Sequence, residues 1–249
     1  MSPRLPTHDS TAQLQEEGLV LLRGILAAEP LVRFREAADQ CFDALDRATP
    51  PPEDYRFNPI SNSLLLTALL DFGLTDSDEL LLPLSSPELE TQFIAAIGSP
   101  WTCSLAQSWL RRKFPPTQSP ARAYHNQDWH QDGALGVHFP ARPGPHIPMT
   151  QLLTCWIPLE ACGVDRPGLE FIRRPQPSLL HFTELDDATL RRRFRPDQFW
   201  SPALEPGDVL LFLNSVLHRT HATPAMRSSR TSIEYRIFPS AAKETRAPE

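Results

Sequence analysis

The stretch GDVLLFLNSVLHRT (207–220) carries the clearest signal for the fold. The turn at Pro206-Gly207 starts an apolar run that predicts a buried strand, and we expect His218 at the end of that strand. Downstream, apolar and polar residues alternate in TSIEYRIF (231–238), and Arg230 stands directly before this segment. The sequence therefore predicts two consecutive strands that fix the positions of a histidine and an arginine.

Short segments of the same kind occur throughout the sequence after Pro100. They are apolar or aromatic, several alternate as half-buried strands do, and Pro, Gly or Asp bounds them. They are TCSLAQSWLRRKF (102–114), LLTCWIPL (152–159), GLEFIRR (168–174) and DVLLFLN (208–214). One helix is predicted among them, ELDDATLRRRF (184–194). Its early acids and late arginines match the helix dipole, so we interpret the basic run as a solvated helix face.

The sequence before Pro100 is predominantly of helical pattern. Residues 1–17 are polar and predict a loose segment. The expected elements are a strand at 18–26 and, from apolar residues at helical spacing, helices at 27–48, 62–72 and 87–98. A helical layer followed by many short strands predicts a mainly β fold of the jelly-roll or barrel kind.

We expect one domain that spans residues 1–249. It would consist of a mostly helical N-terminal layer (1–99), a β core (100–240) and a tail (241–249). The hydrophobic content of 41% and the charged content of 22% are those of an ordinary globular protein.

Composition also limits the partners and the compartment. The net charge of −6 argues against a general nucleic-acid binder. No apolar run reaches the length that spans a bilayer, and the N-terminus lacks the apolar segment of a signal peptide. The four cysteines show no paired spacing, which favours free thiols. These observations predict a cytoplasmic protein without a membrane or nucleic-acid partner.

The segment DWHQDG (128–133) contains two side chains that can bind a metal. His130 and Asp132 are two residues apart, so on a strand both would project from one face. With His218 they would form a set of two histidines and one carboxylate, the facial triad of non-haem Fe(II) oxygenases, which leaves positions open for a chelating cosubstrate and O₂. Arg230 could bind the distal carboxylate of 2-oxoglutarate, because its planar fork suits a carboxylate.

Several residues compete for these roles. His221 competes with His218, although the H-x-T pattern favours His218. Arg227 and Arg236 compete with Arg230. An alternative H-x-Q set starting at His125 is less favoured, because a neutral amide is a poorer ligand than a carboxylate. The Pro- and Gly-rich loop 133–150 is the expected lid of the site.

The chain resembles the phytanoyl-CoA dioxygenase family of Fe(II)/2-oxoglutarate oxygenases. The similar segments extend from GLVLLRGIL (18–26) to SIEYRIF (232–238), and the most specific among them are HQDG (130–133), TCWIPLE (154–160), GLEFI (168–172), GDVLLF (207–212) and HRT (218–220). The spacing between His218 and Arg230 is one residue longer than the family pattern.

The resemblance implies a double-stranded β-helix, the cupin-like jelly roll, with helices packed outside. It also implies His130, Asp132 and His218 as iron ligands. The residues that it implies at the cosubstrate are Arg230, Thr220, Trp156 and Lys113, although Arg111 and Arg112 make the position of the lysine ambiguous.

The function implied is a dioxygenase that uses Fe(II), 2-oxoglutarate and O₂ to hydroxylate a small-molecule metabolite and releases succinate and CO₂. Halogenating relatives lack the carboxylate that Asp132 supplies, so hydroxylation is favoured over halogenation. The alternative from another class is a non-catalytic metal-binding β-barrel, which would not need an arginine that recognises a dicarboxylate.

Overall fold

The structure is a computed structural model that describes residues 8–48, 56–118, 124–144 and 146–240. The expected tail, 241–249, lies outside these residues. The helices are α1 (His8–Glu17), α2 (Ala28–Arg47), α3 (Thr67–Asp71), α4 (Ser77–Leu81), α5 (Pro87–Ile97) and α6 (Asp187–Arg193). The strands are β1 (Leu19–Leu22), β2 (Phe57–Asn58), β3 (Ser63–Leu65), β4 (Trp101–Cys103), β5 (Trp109–Lys113), β6 (Leu153–Pro158), β7 (Gly168–Ile172), β8 (Phe199–Trp200), β9 (Val209–Leu213), β10 (His218–His221) and β11 (Arg230–Pro239).

Two antiparallel sheets make up the β core. The larger has the order β1-β9-β6-β11-β5-β3-β2, and β4 pairs with the end of β11. The smaller has the order β10-β7-β8. Strand β11 is central, because it pairs with β6 along one edge and with β5 and β4 along the other. The predicted mainly β architecture with N-terminal helices is therefore confirmed, as two facing sheets that do not close into a barrel.

The alternation of residues along the strands separates two apolar layers. Cys155 and Tyr235 belong to the outer cluster, which also contains the buried face of α2 with residues such as Phe34 and Phe42. Burial of a phenylalanine contributes about 1.5–3 kcal/mol, so this helix anchors the outer face. Trp156 and its neighbours point inward, toward the smaller sheet. The interior between the sheets is where the predicted site residues meet.

The N-terminal half differs from the sequence prediction in two places. Residues 8–17 form α1, not a loose segment, because Leu14 is buried and the helix packs on β1 and α5. The helix expected at 62–72 was wrong in its first part, where β3 pairs with β5, and only α3 is helical. Edge pairing to an existing sheet outweighs helical spacing there, since strand formation depends on tertiary context. The helical layer thus contributes β1, β2 and β3 to the main sheet.

Other predicted elements agree with the structure. Helices α2 and α5 lie within the predicted ranges 27–48 and 87–98. Helix α6 begins after the N-cap Asp186, and its arginines lie on an exposed face. The four cysteines are free thiols. None of the helices in the described ranges is both long and apolar enough to cross a membrane.

Candidate metal centre

His130, Asp132 and His218 come together between the two sheets. His130 and His218 form an isolated antiparallel bridge, with both backbone N–H···O distances at 3.0 Å. Asp132 starts a short 3₁₀ turn, Asp132–Ala134. His130 and Asp132 therefore do not share a regular strand, the condition under which the sequence placed both side chains on one face. His218 also begins β10 after a turn; it does not end the apolar strand, which stops at Leu213.

The three side chains are close enough to share one ion. One ligand atom from each lies within 4.8 Å of the other two. Asp132 Oδ1 is 3.8 Å from His130 Nε2, and Asp132 Oδ2 is 3.7 Å from His218 Nε2. These separations exceed hydrogen-bond lengths, so the three groups do not satisfy one another. Two imidazoles and a carboxylate are the donor set of an open Fe(II) site.

Backbone carbonyls orient both imidazoles. His130 Nδ1 is 2.7 Å from the carbonyl oxygen of Asp128, and His218 Nδ1 is 3.1 Å from that of Val216. A carbonyl only accepts hydrogen bonds, so Nδ1 carries the proton in each ring and the Nε2 lone pair faces the site. Burial, together with the nearby His218, lowers the pKa of His130 to about 3, which keeps this ring neutral at neutral pH.

Gln127 also contacts the site. Its side-chain amide nitrogen is 2.8 Å from His130 Nε2 and can donate a hydrogen bond to that lone pair. The sequence analysis placed Gln127 only in an alternative ligand set with His125. The structure does not support that set, because His125 is exposed and the clustered ligand atoms are those of the H-x-D motif.

The Asp132 carboxylate lies in a charged network that the sequence analysis missed. Arg236 Nη2 donates to Oδ1 at 2.8 Å, and the Thr154 hydroxyl donates to Oδ2 at 2.6 Å. Burial acts to raise the pKa of Asp132, but the charge of Arg236 lowers it below its usual value. Arg236 was considered only as a competitor of Arg230. Alternation along β11 places residues 230, 232, 234 and 236 on one face, which was the available signal.

Arg230 lies at the start of β11 and is only 1% exposed. It donates to the carbonyl oxygens of Pro167 and Gly168 and to the Ser232 hydroxyl, and its guanidinium lies 4.9 Å from the ring centroid of Trp156. Within the described residues it forms no ion pair with a carboxylate. Burial lowers its pKa from the usual value. A buried cation without a counter-charge is costly, so this position favours an anionic ligand.

Lys113 and Trp156 lie next to this guanidinium, and Thr220 is a further predicted residue in the interior. Lys113 is paired opposite Arg230, is 1% exposed and donates to the carbonyl oxygen of Ser61 at 2.6 Å. Burial, and then the charges of Arg111 and Arg230, lower its pKa well below the usual value. In the described part of the chain, the buried indole N–H of Trp156 has no hydrogen-bond partner. Thr220 is buried on β10, two residues after His218 and on the same face of the strand.

The model of the phytanoyl-CoA dioxygenase (PhyH) family matches residues 14–229. The chain belongs to this family. A comparison with curated protein sequences finds no match.

Several solved structures share this fold. The apo form of EctD from S. alaskensis is 17% identical, with a TM-score of 0.68 over 96% of this chain and 79% of that one. The α-ketoglutarate-dependent carbocyclase SnoK of nogalamycin biosynthesis is 17% identical, with a TM-score of 0.64 over 96% and 87%. The epimerase SnoN, in complex with Fe³⁺ and α-ketoglutarate, is 15% identical, with a TM-score of 0.60 over 96% and 91%. These similarities confirm the predicted jelly-roll fold.

In this member of the phytanoyl-CoA dioxygenase family, a cavity of about 560 Å³ opens beside His130 and Asp132. Arg111 and Arg236 line it together with Asp132, and Trp109 forms part of its wall. Among the described residues of the loop 133–150, Ala134 and Leu135 line the cavity, and the role of this loop as a lid stays a prediction. The remaining lining residues are Asn58, Ile60, Ser61, His125, Asn126, Gln127, Asp128, Trp129, His130 and Gln131.

Proposed function

We propose that this protein is an Fe(II)- and 2-oxoglutarate-dependent dioxygenase that hydroxylates a small-molecule metabolite. The proposal rests on two features that occur together in the interior of the protein. Two Nε2 lone pairs and a carboxylate converge on one point, and the buried Arg230 has no carboxylate partner among the described residues. The first feature suits a divalent metal and the second suits a dicarboxylate.

The residues present fit both groups. His130, Asp132 and His218 would hold the iron. Arg230 would bind the distal carboxylate of 2-oxoglutarate, with Thr220 as a second donor. When bound, iron, 2-oxoglutarate and O₂ supply oxidising chemistry that yields succinate and CO₂ together with the oxidised substrate.

Two further groups favour a cosubstrate in this part of the interior. Lys113 adds a second cationic donor beside Arg230, and Trp156 has an indole N–H without a partner among the described residues. A dianion would offset both buried cations, and a carboxylate oxygen could accept from the indole. In the proposed mechanism these residues orient the cosubstrate and exclude water from it.

The proposed substrate is a small molecule that enters the cavity beside the metal centre. A volume of about 560 Å³ is within the usual range of small-molecule sites. Hydroxylation is the proposed outcome because Asp132 retains the position that halogenating relatives leave open. Carbocyclisation and epimerisation are described for SnoK and SnoN, so the bond that is oxidised here depends on how the cavity walls orient the substrate.

A non-catalytic metal-binding protein is the second candidate. A structural zinc site usually has four protein ligands, whereas three converge here among the described residues. A structural site would also give no reason for a buried arginine without a carboxylate. These two features favour the oxygenase.

The decisive experiment is anaerobic addition of Fe(II) and 2-oxoglutarate, followed by the visible charge-transfer absorption that the chelated cosubstrate produces. We expect this band in the wild type, its loss in His130→Ala and His218→Ala, and its weakening in Arg230→Ala. His221→Ala is the matched control, because His221 follows on the same strand and should leave the band intact. A folded wild type without the band, or a band that survives His218→Ala and disappears in His221→Ala, would contradict the assignment.

A further inference from the structure

The Asp132 carboxylate is held at both oxygens by two residues that also contact each other. Arg236 Nη2 donates to Oδ1 at 2.8 Å, and the Thr154 hydroxyl donates to Oδ2 at 2.6 Å. Arg236 Nη1 donates to the same Thr154 hydroxyl at 2.7 Å. The three side chains thus form a closed ring of hydrogen bonds, and all three are buried. Such a ring fixes both the position and the plane of the carboxylate.

Arg236 is itself held in place by a second buried carboxylate. Its Nη2 lies 2.5 Å from Glu234 Oε1. Arg111 in turn binds both oxygens of Glu234, at 2.9 and 2.7 Å, and donates to the Ser63 hydroxyl. A planar guanidinium bound at several points has little freedom to rotate. The position of Arg236 is therefore determined by the sheet, because β11 and β5 carry Glu234 and Arg111.

We propose that Arg236 and Thr154 together position the Asp132 carboxylate for metal binding. This inference rests on the proposed function. Each oxygen accepts one hydrogen bond and keeps a lone pair, so the carboxylate can still bind a metal while its plane is held. Glu234 and Arg111 then act indirectly, because they hold the Arg236 side chain next to Asp132.

Arg236 is thereby distinguished from Arg230, although both are buried on the same face of β11. Arg236 is bound to two carboxylates, whereas Arg230 is bound to carbonyl and hydroxyl oxygens. The first arrangement fixes a protein carboxylate, and the second leaves a positive charge for a ligand. The two arginines therefore have separate roles in one site.

The test measures Co(II) binding in the absence of cosubstrate and substrate, so it does not depend on turnover. The variants are Arg236→Met, Arg236→Lys and Thr154→Val, and the readouts are the Co(II) dissociation constant and the d–d absorption spectrum, which reports coordination number. Arg23→Met is the matched control, because Arg23 also binds a buried carboxylate, Asp208, at 2.7 Å, but Asp208 is not part of the metal-binding cluster.

We expect Arg236→Met and Thr154→Val to weaken Co(II) binding about 10- to 100-fold, the usual effect of removing a residue that orients a metal ligand, and to change the spectrum. Arg236→Lys should fall between wild type and Arg236→Met, because lysine keeps the charge but lacks the planar fork that reaches Asp132 and Thr154 from two nitrogens. Arg23→Met should bind as the wild type does. If Arg236→Met does not fold, Thr154→Val decides the question.

Folded Arg236→Met or Thr154→Val protein with wild-type affinity and spectrum would overturn the inference and leave the proposed function standing. A wild type that binds neither Co(II) nor Fe(II) would instead reject the proposed function. The two failures are therefore distinguishable within one set of titrations.

Discussion

The backbones of His130 and His218 are hydrogen-bonded to each other in both directions, at 3.0 Å each way. The two proposed ligands are thus held opposite each other by main-chain atoms, although they are far apart in the sequence. His218 is further fixed by the ring of Phe212, 4.6 Å away between centroids. The backbone pairing therefore places the two imidazoles opposite each other.

Replacement of the imidazoles should consequently abolish metal binding without unfolding the protein. We expect His130→Ala and His218→Ala to lose more than 100-fold in Fe(II) affinity, since each removes one of three ligands. Their far-ultraviolet circular dichroism should match that of the wild type, because the backbone pairing persists. A loss of secondary structure in either variant would show that the side chains are needed for the pairing.

Arg230→Met should weaken 2-oxoglutarate binding more than metal binding. Loss of one partner of a buried charged hydrogen-bonded pair typically costs about 2–5 kcal/mol, or roughly 30- to 5000-fold in affinity. Titration of the iron-loaded protein with 2-oxoglutarate under anaerobic conditions measures this effect. Arg227→Met is the control, because Arg227 competes with Arg230 in the sequence but its side chain is exposed. Equal weakening in both variants would remove Arg230 from its proposed role.

Lys113→Met should stabilise the ligand-free protein at pH 7. Burial and the nearby charges of Arg111 and Arg230 lower the pKa of Lys113, so the folded state holds its proton less tightly than the unfolded state. The cost of the buried charge is present at low pH and is relieved as the pH rises toward the unfolded pKa of about 10.4.

Urea unfolding at several pH values tests this direction of the pH dependence. The free energy of unfolding of the wild type should rise between pH 7 and pH 9 relative to that of Lys113→Met, and the variant should be more stable by about 1 kcal/mol at pH 7. The same variant should gain less stability from added 2-oxoglutarate than the wild type does. Parallel pH profiles would indicate that Lys113 is not destabilised by its surroundings.

Glu234→Gln should destabilise the protein most at neutral pH. Burial acts to raise the pKa of Glu234, but Arg111 and Arg236 outweigh burial and lower it. The stability that the ionised Glu234 adds is fully present above the unfolded pKa of about 4.3. It is lost as the pH falls toward the folded pKa. We expect a deficit of about 3–5 kcal/mol at pH 7, typical of a broken buried ion pair, that shrinks below about pH 4.5. Unfolding free energies at pH 7, 5 and 4 check this, and a deficit independent of pH would contradict it.

The sequence by itself located most of the longer strands and selected the candidate ligands. Alternation and turn residues are local signals, so β5, β6, β7, β9 and β11 could be located from the segments that contain them. His130, Asp132 and His218 could be selected because H-x-D and H-x-T are short patterns whose residue types suit one metal chemistry. The same patterns identified the family that the match over residues 14–229 shows.

Only the tertiary structure decided how those residues are supported. Three arginines near the C-terminus are equivalent in a one-dimensional pattern, and their roles diverge only when burial and partners are known. Arg227 is exposed, Arg236 is bound to Asp132 and Glu234, and Arg230 is buried without a carboxylate partner among the described residues. Charge compensation depends on the distances between strands that are remote in the sequence. A local sequence pattern does not contain these distances.

The same reason explains the errors in local structure. Ser63–Leu65 is a strand because β5 offers it an edge, and His130 belongs to no regular strand because its backbone partner is His218. Hydrogen bonds between distant segments outweigh local spacing in both cases, because a buried backbone group must find a partner. Residue types thus determined which chemistry is available, and the packing of the two sheets decided which atoms can take part in it.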